Sequence, residues 1–138
     1  MRIPRVVLSA NADCRYLNFW PLVSEVWREK MNVEPILAFV YSEDSQFLIK
    51  HVMRFGEVVP IKANASFPEP HQAKLARFFV AATRNHPTFI EDIDTCPLSI
   101  NYITGIQSQW DSTGIMMVGS EVYENQQPVK RIPISNMC

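Results

Sequence analysis

Short runs of β-branched and aliphatic residues alternate with stretches of helical periodicity through the first two-thirds of the chain, and this alternation restricts the fold more than any other feature. Arg5 to Ala10, RVVLSA, reads as a buried strand running into the polar loop Asn11-Ala12-Asp13. Tyr16, Phe19, Trp20, Val23, Val26 and Trp27 then recur at spacings of three and four, the mark of an amphipathic helix. Asn18 is its expected cap, which leaves Pro21 in the first turn, where an N–H has no intrahelical partner to lose. Ile36 to Tyr41, ILAFVY, is a second buried strand. A short helix is expected from about Asp44, with Gly56 at its C′ position. Glu57 to Lys62, EVVPIK, is a third strand, placed near a sheet edge by Pro60. After a loop containing Pro68 and Pro70, a helix is expected from about His71 to Arg84, with Leu75, Phe78, Phe79 and Ala82 as its apolar face. Thr88-Phe89-Ile90 begins a fourth strand.

The order β-α-β-α-β-α-β predicts an α/β fold with a mostly parallel central sheet and helices on both faces. Ligands of such sheets bind outside the carboxyl ends of the strands, where the strand order reverses. In the common orders the first and fourth strands are neighbours, which would set the loop Ser9 to Asp13 beside Asp92 and Asp94. After Pro97 the pattern weakens. Leu98 to Ile103 reads as one helical turn, Ile115 to Val118 as a strand, and Pro128 to Ser135 as an edge strand or loop.

A chain of 138 residues is sized for one domain with a core of its own. Its 13 Lys+Arg against 14 Asp+Glu lack the basic excess of a nucleic-acid binder, so a polyanionic ligand would be met by a few placed cations or by a metal. Cys14, Cys96 and Cys138 are too few and too far apart for a disulfide framework or a zinc pair. The apolar run near the N-terminus is too short for a signal sequence, and no stretch approaches the ~20 apolar residues of a membrane span, so a cytoplasmic location is expected.

The chemistry-bearing feature is TFIEDIDTCPLS, Thr88 to Ser99, in which a strand runs out into Glu91, Asp92 and Asp94. Two carboxylates at i and i+2 at a strand end can both reach a ligand once the chain leaves the sheet. Mg²⁺-like ions take one or two carboxylates together with substrate phosphates. The plain alternative is a solvated acidic loop, with Glu91 a flanking charge. A haloacid-dehalogenase phosphatase would carry Thr four residues after the first Asp and would place the motif on the first strand. Here that position is Cys96, and Thr95 comes one residue early. A dinucleotide dehydrogenase is disfavoured, because no G-x-G-x-x-G follows the first strand and the chain has only four glycines.

The order of these parts resembles the GT-A fold of nucleotide-sugar glycosyltransferases, a Rossmann-like three-layer sandwich, over roughly Val6 to Ser99. VVLSANAD with the following YLNFW is similar to the first strand and base-binding loop of those enzymes, HQAKLAR to a helix near the donor diphosphate, and IEDIDTCPLS to the acidic metal motif with its Pro-Leu turn. The closest likeness is to small glycosyltransferases of large algal viruses and bacterial surface-glycan loci. The resemblance implies a nucleoside-diphosphate sugar donor, a glycan or glycoprotein acceptor, and Mn²⁺ or Mg²⁺ held by Asp92 and Asp94. It implies donor contacts from Ala10, Asn11, Asp13, Tyr16, Gln72, Arg77 and Asp92. It also implies a single domain, with residues 1–99 as the nucleotide-sugar-binding half and 100–138 as a partial acceptor-side half. The general base of an inverting reaction would be sought among Asp111, Glu121 and Glu124. The alternatives that stay open are a nucleotide-binding or interaction module without catalysis, and a haloacid-dehalogenase-like phosphohydrolase.

Overall fold

The structure is a computed structural model that describes residues 5–109. The expected strand at Ile115 to Val118, the segment Pro128 to Ser135 and the acidic residues Asp111, Glu121 and Glu124 lie outside the described residues.

Four strands form one all-parallel sheet: β1 (Arg5–Ala10), β2 (Glu34–Tyr41), β3 (Glu57–Lys62) and β4 (Thr88–Ile90), in the order β3-β2-β1-β4. The fold is α/β with a parallel sheet, and β1 and β4 are neighbours. β2 begins two residues earlier than its apolar run, at Glu34 and Pro35. Pro35 pairs with Val6 of β1 but stands ahead of the β3 ladder, which begins at Ile36, so its missing donor falls near the strand's start. Pro60 lies on β3, an edge strand, where a missing donor costs little.

The first connection is broken into pieces. α1 (Cys14–Leu17) is capped by Asp13, whose side chain accepts from the Arg15 N–H at 3.0 Å. α2 (Trp20–Glu25) follows and continues into a π-helical turn, Val26–Lys30. Asn18, the expected cap, instead ends α1. Asp13 stands one residue before the first turn and captures its N–H groups, so the helix starts five residues early and then bends. Pro21 does sit in the first turn of α2. The segment stops at Asn32, whose φ of 52° is the left-handed conformation that Asn tolerates at a C′ position.

Between β2 and β3 lie a 3₁₀ turn, Glu43–Ser45, and α3 (Leu48–Val52). α3 ends with Met53 as its cap, so Gly56 is not the C′ residue. Its requirement is spatial: a Cβ there would lie 2.9 Å from Cζ2 of Trp20. The Trp20 indole N–H donates to the Val52 carbonyl at 2.9 Å and ties α2 to α3.

α4 (Glu69–Ala82) crosses from β3 back to β4 and packs on the sheet face formed by Val7, Ile36, Ala38 and Val40. It buries Ala73, Ala76 and Val80, while Leu75, Phe78 and Phe79 are exposed, so the expected apolar face is the wrong one. Small side chains let the helix lie close to a sheet whose own residues fill the gap, and interior packing favours that fit over the larger residues. The opposite sheet face carries Val6, Leu8, Leu37 and Phe39 by alternation, and there Trp27 meets Phe89 with ring centroids 6.1 Å apart. Right-handed crossovers account for α2 and α3 lying on that side and α4 on the other.

The compact unit built on this sheet runs through Ile100. α5 (Ile100–Gln109) belongs from Asn101 onward to a second unit; it spans ten residues rather than the single turn expected, and buries Ile103 and Ile106. Among the described residues no helix is long and apolar enough to cross a membrane.

Candidate functional site

From β1 the chain moves outward to β2 and β3 on one side, then returns over the sheet to place β4 on the other side of β1. The point of reversal is therefore between β1 and β4, the position at which open α/β sheets form their ligand crevice. β4 is short. Val7 pairs with Ile90, and the Glu91 N–H donates to the Val7 carbonyl at 3.2 Å as the ladder ends. β1 continues through Leu8, Ser9 and Ala10, so the acidic turn leaves the sheet alongside the last residues of β1.

That turn is fixed from both ends. The Thr95 N–H donates to the Asp92 carbonyl at 3.0 Å, and Ile93 is buried, which directs Asp92 and Asp94 outward on either side of it. Arg77 reaches the turn from α4. Its Nη1 donates to the Glu91 carbonyl at 3.2 Å and to the Asp92 carboxylate. The Arg77 side chain is only 17% exposed, against 65% for Asp92, and its guanidinium lies 5.4 Å from the Phe78 ring centroid. Its Nε is buried with no hydrogen-bond partner among the described residues.

The other predicted residues occupy the β1 loop and α4. Ala10 is buried at the end of β1. The Asn11 side chain folds back to accept from the Asp13 N–H at 3.4 Å. Asp13 accepts from Arg15 Nη2 at 2.6 Å as well as from its backbone. The Arg15 hydrogen bonds hold the Asp13 carboxyl below the usual carboxylate range. Tyr16 is half-exposed on α1. Gln72 is committed to its own loop: its Oε1 accepts from the Asn64 N–H at 2.8 Å and its Nε2 donates to the Asn64 and Phe67 carbonyls. Arg77 and Asp92 are thus brought into contact, whereas the Gln72 amide serves to brace the loop that leads into α4.

A cavity of about 250 Å³ adjoins the β1 loop on its α3 side, lined among others by Ala12, Cys14, Leu17, Asn18, Leu48 and His51. No sequence pattern marks it, because its walls come from separate helices that carry no shared periodicity. Asp13 as a helix cap was legible in principle, since an Asp standing immediately before a helix start is a recognised signal.

Among the described residues, no three His, Cys, Asp or Glu side chains gather into a metal-binding group. A pair of outward carboxylates at a strand end still suits a hard divalent ion that completes its shell with water and phosphate oxygens. Comparison with family models, curated proteins and solved structures returns no match.

Proposed function

We propose that this chain binds a nucleoside-diphosphate sugar at the β1–β4 reversal and belongs to a metal-dependent glycosyltransferase acting on a hydroxyl of a glycan or glycoprotein. The observation that supports the reading is the adjacency of β1 and β4 in an all-parallel sheet. It sets the loop of Asn11 and Asp13 and the turn of Asp92 and Asp94 at the ends of neighbouring strands. Asp94, with Asp92, would hold Mn²⁺ or Mg²⁺, and when bound the ion supplies charge to a departing diphosphate. Arg77 offers a planar fork of donors suited to phosphate oxygens. Asn11 and Asp13 offer a carbonyl, an amide and a carboxylate to base and ribose, and Tyr16 a ring for stacking.

A thermal-shift panel of UDP, GDP and dTDP sugars with Mn²⁺ tests this. At least one donor should raise the melting temperature of the wild-type chain, and Asp94→Ala should abolish the rise while leaving the unliganded melting temperature near its original value. No shift with any donor would contradict the reading. A shift without turnover of that donor when acceptors are supplied would reduce it to a nucleotide-binding module. Release of phosphate from generic phosphoesters in Mg²⁺ would point to a phosphohydrolase instead.

A further inference from the structure

Arg77 reaches the acidic turn from α4. Its described hydrogen bonds both end on the acidic turn, at the Glu91 carbonyl and the Asp92 carboxylate. The guanidinium is mostly buried, and one of its donors, Nε, has no partner among the described residues. A guanidinium fork is better matched by two phosphate oxygens than by one carboxylate oxygen. Asp92, meanwhile, has its charge balanced by Arg77, so of the two motif aspartates only Asp94 stands outside that pair. A single exposed carboxylate is a poor site for a strongly hydrated divalent ion.

We propose that Arg77 is a positioning residue that couples metal binding to diphosphate binding: without diphosphate it holds Asp92 away from a metal, and phosphate oxygens arriving at its guanidinium release Asp92 to join Asp94. The proposal rests on the donor reading above. Its consequence is reciprocal, as any coupling between two bound species must be. Metal strengthens diphosphate binding by the same factor that diphosphate strengthens metal binding. The hydrogen bond to the Glu91 carbonyl keeps the turn in place while the partner of the guanidinium changes.

The test measures Mn²⁺ binding to the full chain by electron paramagnetic resonance of the free ion, alone and with UDP, GDP or dTDP. In the wild type, one of these diphosphates should tighten Mn²⁺ binding by about tenfold, within the usual range of such couplings. Arg77→Gln, which retains an N–H donor for the Glu91 carbonyl, should bind Mn²⁺ alone more tightly than wild type and lose most of the diphosphate enhancement. Asp92→Asn approaches the same pair from the other side and remains informative should Arg77→Gln fail to fold. With chelator present it should bind the diphosphate more tightly than wild type, because Arg77 is no longer held by a carboxylate. Unchanged or weaker Mn²⁺ binding in folded Arg77→Gln, or unchanged metal-free diphosphate binding in Asp92→Asn, overturns the coupling even if the donor reading stands. If Arg77→Gln gains Mn²⁺ affinity but no diphosphate binds to any form, the donor reading fails and the coupling fails with it.

Discussion

A methyl group at position 56 would lie 2.9 Å from Cζ2 of Trp20 and 3.1 Å from Nη2 of Arg28, which itself donates to the Phe55 carbonyl at 3.0 Å. The nearer neighbour is not a loose side-chain end. Trp20 is fully buried and fixed by its hydrogen bond to Val52. Gly56→Ala should therefore destabilise the fold by about 1–3 kcal/mol, the usual cost of overpacking, measured by chemical denaturation. A variant as stable as the parent would show that Trp20 can move. The sequence marks Gly56 as special but misassigns the reason, because a C′ glycine and a glycine of close approach look alike until the distant Trp20 is in place. Asp13 offers a second test at this scale. Its carboxyl is held below the usual range by the Arg15 side-chain and backbone hydrogen bonds. Its folded pKa is thus below the unfolded one, so whatever stability the pair contributes is present above the unfolded value and is lost as pH falls through the folded one. The NMR titration midpoint of Asp13 should rise toward the ordinary carboxylate value in Arg15→Gln. An unchanged midpoint would mean that the ion pair does not form in solution.

At the scale of elements, strands were the most legible. β1 and β3 carry the bounds that their apolar runs suggest: β1, buried on both faces, needs a continuous run of such residues, while β3 is an edge strand whose residues are half-buried or exposed. Helix α4 was legible as a helix but not in its orientation. Leu75, Phe78 and Phe79 form the stripe that hydrophobicity selects, yet Ala73, Ala76 and Val80 face the sheet. Periodicity identifies an amphipathic helix without saying whether the large or the small residues fit the space left by the neighbouring layer. The orientation predicts opposite responses from residues on the same helix. Phe79→Ser should change stability by no more than about 0.5 kcal/mol, as for a surface substitution, and Ala76→Leu should destabilise by about 1–3 kcal/mol. Denaturation curves showing the reverse order would return the helix to the orientation its large apolar residues suggest.

For the whole molecule, the alternation of elements anticipates a parallel sheet, and the common strand orders of such sheets put β4 beside β1, the arrangement found. The location of the candidate site follows from that topology, because the reversal of strand order lies where Asp92 and Asp94 leave the sheet. What the sequence could not show is the state of those carboxylates. Arg77 and Asp92 are on different elements, fifteen residues apart, and only the packing of α4 against the sheet brings them together. The central claim is that a metal and a diphosphate meet at this reversal. It is tested most directly by recording amide resonances of the full chain with a diamagnetic Mg²⁺–nucleoside diphosphate and then with trace Mn²⁺ in its place. Paramagnetic broadening is predicted to centre on residues 9–13, 77 and 91–95, and to vanish in Asp94→Ala. Broadening centred elsewhere, or none at any nucleotide concentration, would contradict the account.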